Sequence, residues 1–321
     1  MASSWLGRHV LAVDDFDDAM LSEVFSTAAK MKRMVKEKGA APILAGRILA
    51  NVFYEPSTRT MCSFDAAMKR LGGQVISVSE SSSSAKKGET IEDTVRCLQC
   101  YCDVLVLRHP EKGTAARAAS AASKPVINAG DGVGEHPTQA LLDLFTTFNA
   151  RDNGSADLSG LTLTLVGDLK HGRTVHSLSL LASKASPPPR ILCVSPQPLA
   201  MPEHVTATLR SRGVQVEETT DLRAALPSTD VLYVTRVQRE RFADEEEYKK
   251  HAGSYVVDKQ LMELAPAHMM VLHPLPRVDE IATDVDADPR AKYFEQMENG
   301  MYVRMALLAL VLGADLTALG D

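Results

Sequence analysis

The residues best suited to chemistry lie in the segment Glu55-Pro-Ser-Thr-Arg-Thr60, which follows an apolar run, residues 48–54, and precedes a predicted helix at residues 64–71. The unpaired N–H groups and the dipole of a helix N-terminus both favour an anion. Arg59 adds a planar guanidinium that matches phosphate oxygens. Because serine and threonine are also ordinary helix caps, a well-capped helix with a surface arginine explains the segment about equally well.

Two other segments of the first half carry positive charge. The loop at residues 81–90 is rich in serine and contains Lys86 and Lys87. By itself it is more typical of a solvated loop, although it could also act as a mobile lid that delivers a cation to a phosphate. Arg108 follows a predicted strand at residues 103–107. An arginine at such a place is often part of a surface ion pair, so it is a moderate indication of a site.

A glycine-rich approach to a predicted helix, residues 130–139, contains His136 and Gln139. Pro137 suits the first turn of that helix. Residues three apart share one helix face, so His136 and Gln139 could aim two hydrogen-bonding side chains at a carbonyl group. A capping histidine beside a surface glutamine is the alternative.

Two arginines in the second half of the chain predict a dicarboxylic ligand. Residues 166–175 have the strand, loop and helix start of a dinucleotide site but lack G-x-G-x-x-G, which supports nucleotide binding only weakly. Arg173 stands at the helix start, which is unfavourable for a cation unless an anion is bound there. Arg236 and Gln238 follow another predicted strand, so two guanidiniums could each grip a carboxylate.

The turn at residues 272–277 contains Pro274 and Pro276 on either side of Leu275. Prolines remove backbone donors and rigidify a turn, which leaves its carbonyl groups as acceptors. Such a turn suits a ligand group rich in N–H, although a turn without a ligand would have the same residues.

Alternating helix and strand patterns predict two parallel-sheet α/β domains with an active-site cleft between them. A turn-rich linker at residues 151–156 is the best internal boundary, and an apolar closing helix at residues 298–312 should be buried, packing back on the first domain. We expect one domain at residues 1–142 plus 298–321 and another at residues 143–297. The predicted strands before the linker are residues 47–54, 74–78, 103–107 and 125–128, and those after it are residues 161–166, 190–194, 230–234 and 269–272. Ligands of such sheets bind beyond the carboxyl ends of the strands, where many of the polar motifs lie.

Composition excludes several classes of protein. The chain has 321 residues, of which 45% are hydrophobic and 24% charged, as is ordinary for a globular protein. Its net charge of −6 argues against a nucleic-acid partner. We find no apolar run long enough to span a membrane and no signal-peptide pattern at residues 1–6.

The five cysteines show no metal-ligand spacing. Cys97, Cys100 and Cys102 fall in an apolar passage, so we expect all three to be buried as small hydrophobic residues. A reducing compartment fits this usage best.

Taken together and in order, these motifs resemble the aspartate carbamoyltransferase family, from residues 53–60 to residues 300–306. Residues 133–139 and 298–308 are most similar to the version found in eukaryotic multifunctional pyrimidine-synthesis polypeptides, so the chain could be an excised domain. Ornithine carbamoyltransferase resembles this family in its Ser-Thr-Arg-Thr and His-Pro-x-Gln motifs. It typically has a cysteine where this chain has Pro274, and that cysteine is used to recognise ornithine.

The resemblance implies transfer of a carbamoyl group from carbamoyl phosphate to L-aspartate, an early step of pyrimidine biosynthesis, with no cofactor and no metal. Arg59, Thr60, Lys87, Arg108 and His136 would be the catalytic residues. The residues that would bind carbamoyl phosphate are Ser57, Thr58, Arg59, Thr60, Ser83, Arg108, His136, Gln139, Pro274 and Leu275. Those that would bind aspartate are Lys87, Arg173, Arg236 and Gln238.

The resemblance also implies a cytoplasmic homotrimer in which Ser83 and Lys87 complete the site of a neighbouring subunit. It implies neither a nucleic-acid partner nor a membrane. Three other interpretations remain open: a carbamoyltransferase with another amine substrate, a nucleotide-binding dehydrogenase suggested by residues 166–170, and a non-catalytic scaffold within a larger polypeptide.

Overall fold

The chain forms two compact units, each built on one parallel sheet. Unit 1 comprises Met1–Thr138 and Glu298–Asp321, and unit 2 comprises Gln139–Met297. The computed structural model describes residues 5–80, 87–151, 158–239, 244, 246, 248, 250 and 253–319. The sheets confirm the prediction of two parallel-sheet α/β domains.

Unit 1 contains a four-stranded sheet of β1 (Ile48–Phe53), β2 (Gln74–Ser79), β3 (Val104–His109) and β4 (Val126–Asp131) in the order β2-β1-β3-β4. Its helices are α1 (Asp18–Lys38), α2 (Thr58–Arg70), α3 (Ile91–Leu98) and α4 (Thr114–Ala121). β1, β3 and β4 are almost wholly buried. This explains why apolar residues predominate on both faces of these strands, because helices cover both faces of such a sheet.

Unit 2 begins within α5 (Pro137–Asn149), which starts at the end of unit 1. Its sheet contains β5 (Thr162–Gly167), β6 (Arg190–Val194), β7 (Val216–Thr219), β8 (Val231–Thr235) and β9 (Met270–Leu272) in the order β7-β6-β5-β8-β9. The other helices are α6 (Arg173–Ala182), α7 (Glu203–Ser211) and two single turns, Leu222–Ala225 and Lys259–Met262.

The last long helix, Tyr293–Val311, which we call the closing helix, passes from unit 2 into unit 1. Its side chains from Tyr302 to Val311 are all buried, as its apolar sequence predicts. Within unit 1, the Arg304 guanidinium donates to Ser63 Oγ at 2.8 Å and the Gly7 N–H donates to the Val311 carbonyl at 2.9 Å. The closing helix therefore completes the core of unit 1.

Several predicted elements need correction. The helix expected at residues 64–71 begins earlier, at Thr58, because its first turn has the hydroxyl residues that cap helices. Neither α4 nor β7 was predicted: α4 is mostly alanine, and β7 is a polar edge strand with largely exposed side chains. The other strands match their predicted bounds within three residues; the largest difference is at β4, which ends at Asp131 rather than at residue 128.

The prediction that three cysteines are buried is wrong for two of them. Cys97 and Cys100 are exposed: Cys97 lies outside the buried face of α3, which consists of Ile91, Thr94 and Val95, and Cys100 lies in the turn after α3. Cys102 is buried, and this burial raises the pKa of its thiol to about 11.

None of the described helices combines the length and the apolar character that crossing a bilayer requires. Of the predicted linker, residues 152–156 lie outside the described part of the chain.

Candidate active site

The first half of the candidate site is the N-terminus of α2, which follows β1 directly. Ser57 is the N-cap residue, with an extended backbone (φ −159°, ψ 94°), and its carbonyl accepts the Met61 N–H at 3.1 Å. The Ser57 hydroxyl makes no capping hydrogen bond within the described chain. The first-turn N–H groups of a helix have no intrahelical acceptor, so this turn remains able to bind an anion.

The side chains of this turn differ in exposure. Thr60 is buried, Ser57 and Arg59 are half-buried, and Thr58 is exposed. The hydroxyl of Thr60 thus belongs to the interior end of the turn, whereas Thr58 faces solvent. A ligand bound at this helix end could therefore contact both buried and exposed hydroxyl donors.

Arg108 lies on β3 beside the end of β1, where its Cα pairs in register with that of Phe53. Its guanidinium donates to the Glu55 carboxylate and, at 3.2 Å, to the Ala129 carbonyl on β4. The side chains of Arg108 and Glu55 are only 11% and 23% exposed. This arrangement holds a positive charge at the carboxyl ends of three adjacent strands.

His136 is the last residue before α5, and it is 3% exposed. The turn that leads to it is organised by Asp131, whose carboxylate accepts the N–H groups of Gly113 and Glu135, both at 2.8 Å. Gly132 has φ +58°, and a Cβ there would lie 2.2 Å from the Pro110 carbonyl oxygen. Unit 1 therefore places the α2 N-terminus, Arg108 and His136 after adjacent strands of its sheet.

In unit 2, the predicted aspartate-binding residues follow two adjacent strands, β5 and β8. Arg173 is the first residue of α6, while Arg236 and Gln238 come just after β8. Their side chains are all half-buried. The two predicted carboxylate-binding arginines therefore stand at the same edge of one sheet, at the point where its strand order reverses.

Asp168 anchors the loops that carry these residues. It is fully buried, and its carboxylate accepts the His171 N–H at 3.0 Å and the Gln238 N–H at 3.4 Å. The His171 ring nitrogen Nδ1 lies 3.1 Å from both carboxylate oxygens. One buried carboxylate thus links the loop after β5 with the loop after β8.

The turn after β9 has an unusual backbone. The Leu275–Pro276 peptide is cis, and Leu275 has φ +53°, the only positive φ of a non-glycine residue in the described chain. The Leu275 N–H donates to His273 Nδ1 at 2.7 Å, and the other ring nitrogen, Nε2, lies 2.7 Å from Glu280 Oε1. Left-handed backbone at a non-glycine residue is costly and is typical of functional sites.

Glu280 is 5% exposed. Its burial by itself would raise the pKa of the carboxyl, but the hydrogen bond and charge of His273, with backbone N–H donors, bring that pKa below its ordinary value. The carboxylate therefore holds the imidazole, and through it the backbone of Leu275.

Two predicted residues come from the segment that follows β2. Lys87 is exposed, and Ser83 lies outside the described residues. In the part of the chain that the structure describes, no group of three or more His, Cys, Asp or Glu side chains could hold a metal ion.

Comparison with known proteins decides the family. The family model "Aspartate/ornithine carbamoyltransferase, carbamoyl-P binding domain" matches residues 8–149, and "Aspartate/ornithine carbamoyltransferase, Asp/Orn binding domain" matches residues 159–311. The chain belongs to the aspartate/ornithine carbamoyltransferase family.

Individual members of the family are similar over almost the whole chain. The multifunctional protein pyr1-3 of Dictyostelium discoideum is 51% identical over 97% of this chain, which spans only 14% of that relative's length. The aspartate carbamoyltransferase catalytic subunit of Thermococcus gammatolerans is 50% identical over 96% of this chain and 99% of its own length.

A solved structure agrees with the fold. The aspartate transcarbamoylase of Trypanosoma cruzi in complex with N-(phosphonacetyl)-L-aspartic acid is 43% identical, with a TM-score of 0.91 over 97% of each chain.

Sequence reasoning assigned no role to four buried polar residues. Asp143, Gln296, His273 and Glu280 are each no more than 5% exposed and are hydrogen-bonded to one another or to candidate site residues. A carboxylate four residues after Gln139, within the apolar helix α5, is the signal that could have revealed the first of them.

Proposed function

We propose that this chain transfers the carbamoyl group of carbamoyl phosphate to the amine of L-aspartate, giving N-carbamoyl-L-aspartate and phosphate, an early step of de novo pyrimidine biosynthesis. The observation that carries the substrate choice is the pair Arg173 and Arg236 after adjacent strands β5 and β8, since two guanidiniums fit two carboxylates. Relatives named for aspartate, and a structure of the T. cruzi enzyme with carbamoyl phosphate and aspartate, support the same choice.

The phosphate of carbamoyl phosphate would bind at the N-terminus of α2. Ser57, Thr58 and Thr60 would donate from hydroxyls and backbone N–H groups, and Arg59 would supply a bidentate positive charge. Lys87 and Ser83 of a neighbouring subunit would add further donors.

The carbonyl oxygen of carbamoyl phosphate would be held by Thr60, Arg108 and His136. This oxygen gains negative charge as the amine attacks. Donors that are already in place stabilise that charge without reorganising, and one such donor is typically worth about 10²–10³ in rate. The Glu55 and Ala129 contacts of Arg108 supply such preorganisation.

The amino group of the carbamoyl moiety would donate to Gln139 and to the backbone carbonyls of Pro274 and Leu275. Arg173, Arg236 and Gln238 would bind the carboxylates of aspartate, with assistance from Lys87. These contacts hold both reactants in one orientation, which can in principle supply about 7–11 kcal/mol of the barrier.

The bond changes need no covalent enzyme intermediate. The aspartate nitrogen forms a C–N bond to the carbonyl carbon, the C–O bond to phosphate breaks, and the departing phosphate accepts the amine proton. The role of the protein is therefore positioning and electrostatic stabilisation.

A paired assay tests the substrate. The purified chain is given carbamoyl phosphate with either L-aspartate or L-ornithine, and carbamoyl-aspartate and citrulline are quantified. We expect carbamoyl-aspartate only, and Arg236→Ala should lower kcat/KM for aspartate by about 10²-fold, as expected for lost charge-assisted hydrogen bonds. Citrulline as the main product would replace this proposal with the ornithine reaction.

We also propose a homotrimer in which Lys87 acts in the site of a neighbouring subunit. Arg59→Ala and Lys87→Ala chains, each inactive alone, are mixed one to one and allowed to exchange subunits. Because a site needs an intact Arg59 from one chain and an intact Lys87 from the next, about a quarter of the sites should recover. Verified exchange without any recovery would show that each site lies within one subunit.

The proposed compartment is the reducing cytoplasm, since all five cysteines are free thiols. The match to multifunctional relatives supports a further proposal, that the chain is one domain of a larger polypeptide.

A further inference from the structure

A chain of buried hydrogen bonds joins Gln139 to the turn after β9, and all of it lies in unit 2. The Asp143 Oδ1 atom accepts from Gln139 Nε2 at 2.8 Å and from Gln296 Nε2 at 2.6 Å. The Gln296 Oε1 atom in turn accepts the backbone N–H of His273 at 2.9 Å. One carboxylate thus connects helix α5, the closing helix and the strand end that carries Leu275.

These partners leave no choice of amide orientation. The backbone N–H of His273 is a donor, so Gln296 must present its carbonyl oxygen there and its NH₂ group to Asp143. The same Oδ1 atom that accepts from Gln296 faces Gln139, so Gln139 also presents its NH₂ group to Asp143. The Oε1 atom of Gln139 is then the one that can accept an N–H group from a ligand.

Burial makes this series of hydrogen-bonded side chains rigid. Asp143 and Gln296 are fully buried, and Gln139 is 5% exposed. The Tyr233 side chain is also fully buried against the cluster, and this burial, with the nearby charge of Asp143, raises the pKa of its hydroxyl well above the ordinary value. A hydrogen bond in such surroundings is expensive to break, because the separated partners cannot turn to water.

We infer that Asp143 is a positioning residue for the carbamoyl amino group. Through Gln139 it fixes the position of the Gln139 amide oxygen. Through Gln296 and His273 it fixes the position of the turn carbonyls that were assigned above to the same amino group. This inference rests on the proposed function, and it goes beyond it by giving a role to a residue that would not itself touch substrate.

The chemistry offers a probe that separates positioning from general stability. Acetyl phosphate has a methyl group where carbamoyl phosphate has NH₂, so it keeps the phosphate and the carbonyl but has no N–H to donate. If Asp143 acts through Gln139, its replacement should weaken binding of carbamoyl phosphate and leave acetyl phosphate almost unaffected.

The experiment measures dissociation constants of both compounds for the full chain without aspartate. We expect Asp143→Ala to raise the dissociation constant of carbamoyl phosphate about tenfold, since one hydrogen bond to this ligand is lost. The dissociation constant of acetyl phosphate should rise less than about twofold. Asp143→Asn, which keeps an oxygen acceptor, should restore most of the difference. In a Gln139→Met background, Asp143→Ala should have a smaller further effect, because only the route through Gln296 and His273 to the turn carbonyls remains.

Thr147→Val is the matched control. Thr147 lies on the same helix, is buried, and donates from its hydroxyl to the Asp143 carbonyl oxygen at 2.9 Å, outside the side-chain network. It should lower stability without changing the ratio of the two dissociation constants. If Asp143→Ala does not fold, Gln296→Met carries the same test, since it breaks the link to His273 and leaves the Asp143 charge in place.

Equal weakening of both compounds by Asp143→Ala, or full additivity with Gln139→Met, would overturn the inference. The wild-type chain separates this failure from failure of the proposed function. If the wild type forms carbamoyl-aspartate but Asp143→Ala weakens binding of both compounds equally, only the role of Asp143 is refuted. If the wild type forms no carbamoyl-aspartate, the proposed function itself is refuted.

Discussion

The two units approach ligand binding by different means. In unit 1, the proposed anion site is the start of helix α2, where backbone N–H groups whose positions are set by the helix would supply many of the donors. In unit 2, the candidate contacts come from side chains and loop ends, and buried carboxylates fix the segments that carry them: Asp168, Asp143 and Glu280. A helix end is a self-contained site, whereas a loop site depends on buried groups that never contact the ligand.

This difference follows from what each unit is proposed to hold. Phosphate is compact and tolerant of direction, so one helix terminus and one guanidinium suit it. An amino acid and the amino group of a carbamoyl moiety, which unit 2 is proposed to hold, require directed donors and acceptors on several loops. A loop needs additional hydrogen bonds to keep its donors and acceptors in a fixed orientation. Where the polar groups that supply these bonds are buried, each of them must have a hydrogen-bond partner.

The largest effect that we predict comes from unit 1. Arg59→Ala should lower kcat by about 10³-fold or more, because the guanidinium would stabilise charge that develops on the phosphate as it leaves. Steady-state kinetics with varied carbamoyl phosphate measures this, and Arg59→Lys, which keeps the charge without the planar fork, is the control. An unchanged kcat with only a raised KM would mean that Arg59 binds the ground state alone.

A smaller effect should distinguish unit 2. Asp168→Asn should raise the KM for aspartate about 10- to 100-fold, as is typical when a supporting group of a site is changed, while carbamoyl phosphate binding stays the same. The reason is that this buried carboxylate ties the loop of Gln238 to the loop after β5. If Asp168→Asn weakened carbamoyl phosphate binding as much as aspartate binding, Asp168 would support the binding of both substrates rather than of aspartate alone.

Glycines at strand ends test whether the units share a backbone requirement. Gly132 follows β4 in unit 1, and Gly167 ends β5 in unit 2 with φ +117°. A Cβ at Gly167 would lie 2.0 Å from the Thr235 carbonyl oxygen. Replacing either glycine by alanine should destabilise its unit by about 1–3 kcal/mol through overpacking alone, measured by thermal unfolding.

Gly160→Ala is the control for this pair. Gly160 has φ +72°, but the Cβ of an alanine at this position would have no neighbouring atom within 4 Å, so only the backbone preference is lost. A loss of stability equal to those at Gly132 and Gly167 would show that conformation rather than close approach decides the cost.

The smallest effect is a pH dependence in unit 2. Glu280 has a pKa below its ordinary value of 4.5, so its ionised form stabilises the folded chain above about pH 4.5, and this contribution is lost as the pH falls through the folded-state pKa. The difference in Tm between wild type and Glu280→Gln should therefore be largest near pH 7 and shrink in acid. If the difference in Tm grew as the pH fell, the pKa of Glu280 would be raised in the folded chain rather than lowered.

How far the sequence predicts this molecule depends on the kind of signal. The parallel strand β3 was located from a continuous apolar run, because both of its faces are buried. Helix α4 was overlooked because a run of alanines has no strong apolar periodicity, and β7 because an exposed edge strand is polar.

The site was predictable to a different extent. Residues that would contact ligand lie in motifs after strands, so Arg59, Arg108 and Arg173 could be chosen from the sequence, and their roles stay predictions. Supporting residues such as Asp143 and Gln296 are 153 positions apart, so no local pattern pairs them. Cys97 and Cys100 show the opposite error, since an apolar neighbourhood in sequence did not reveal which positions of α3 and of the turn after it are covered.

The discontinuity of unit 1 has a consequence for the growing polypeptide on the ribosome. Unit 2 is contiguous, so all of its residues have been synthesised once Met297 is added. Unit 1 must wait for Glu298–Asp321, although its four strands are made much earlier. Since domains generally fold as units during synthesis, the later part of the chain can finish folding before the earlier part. Until then, the apolar surface that the closing helix will cover is a natural target for chaperones.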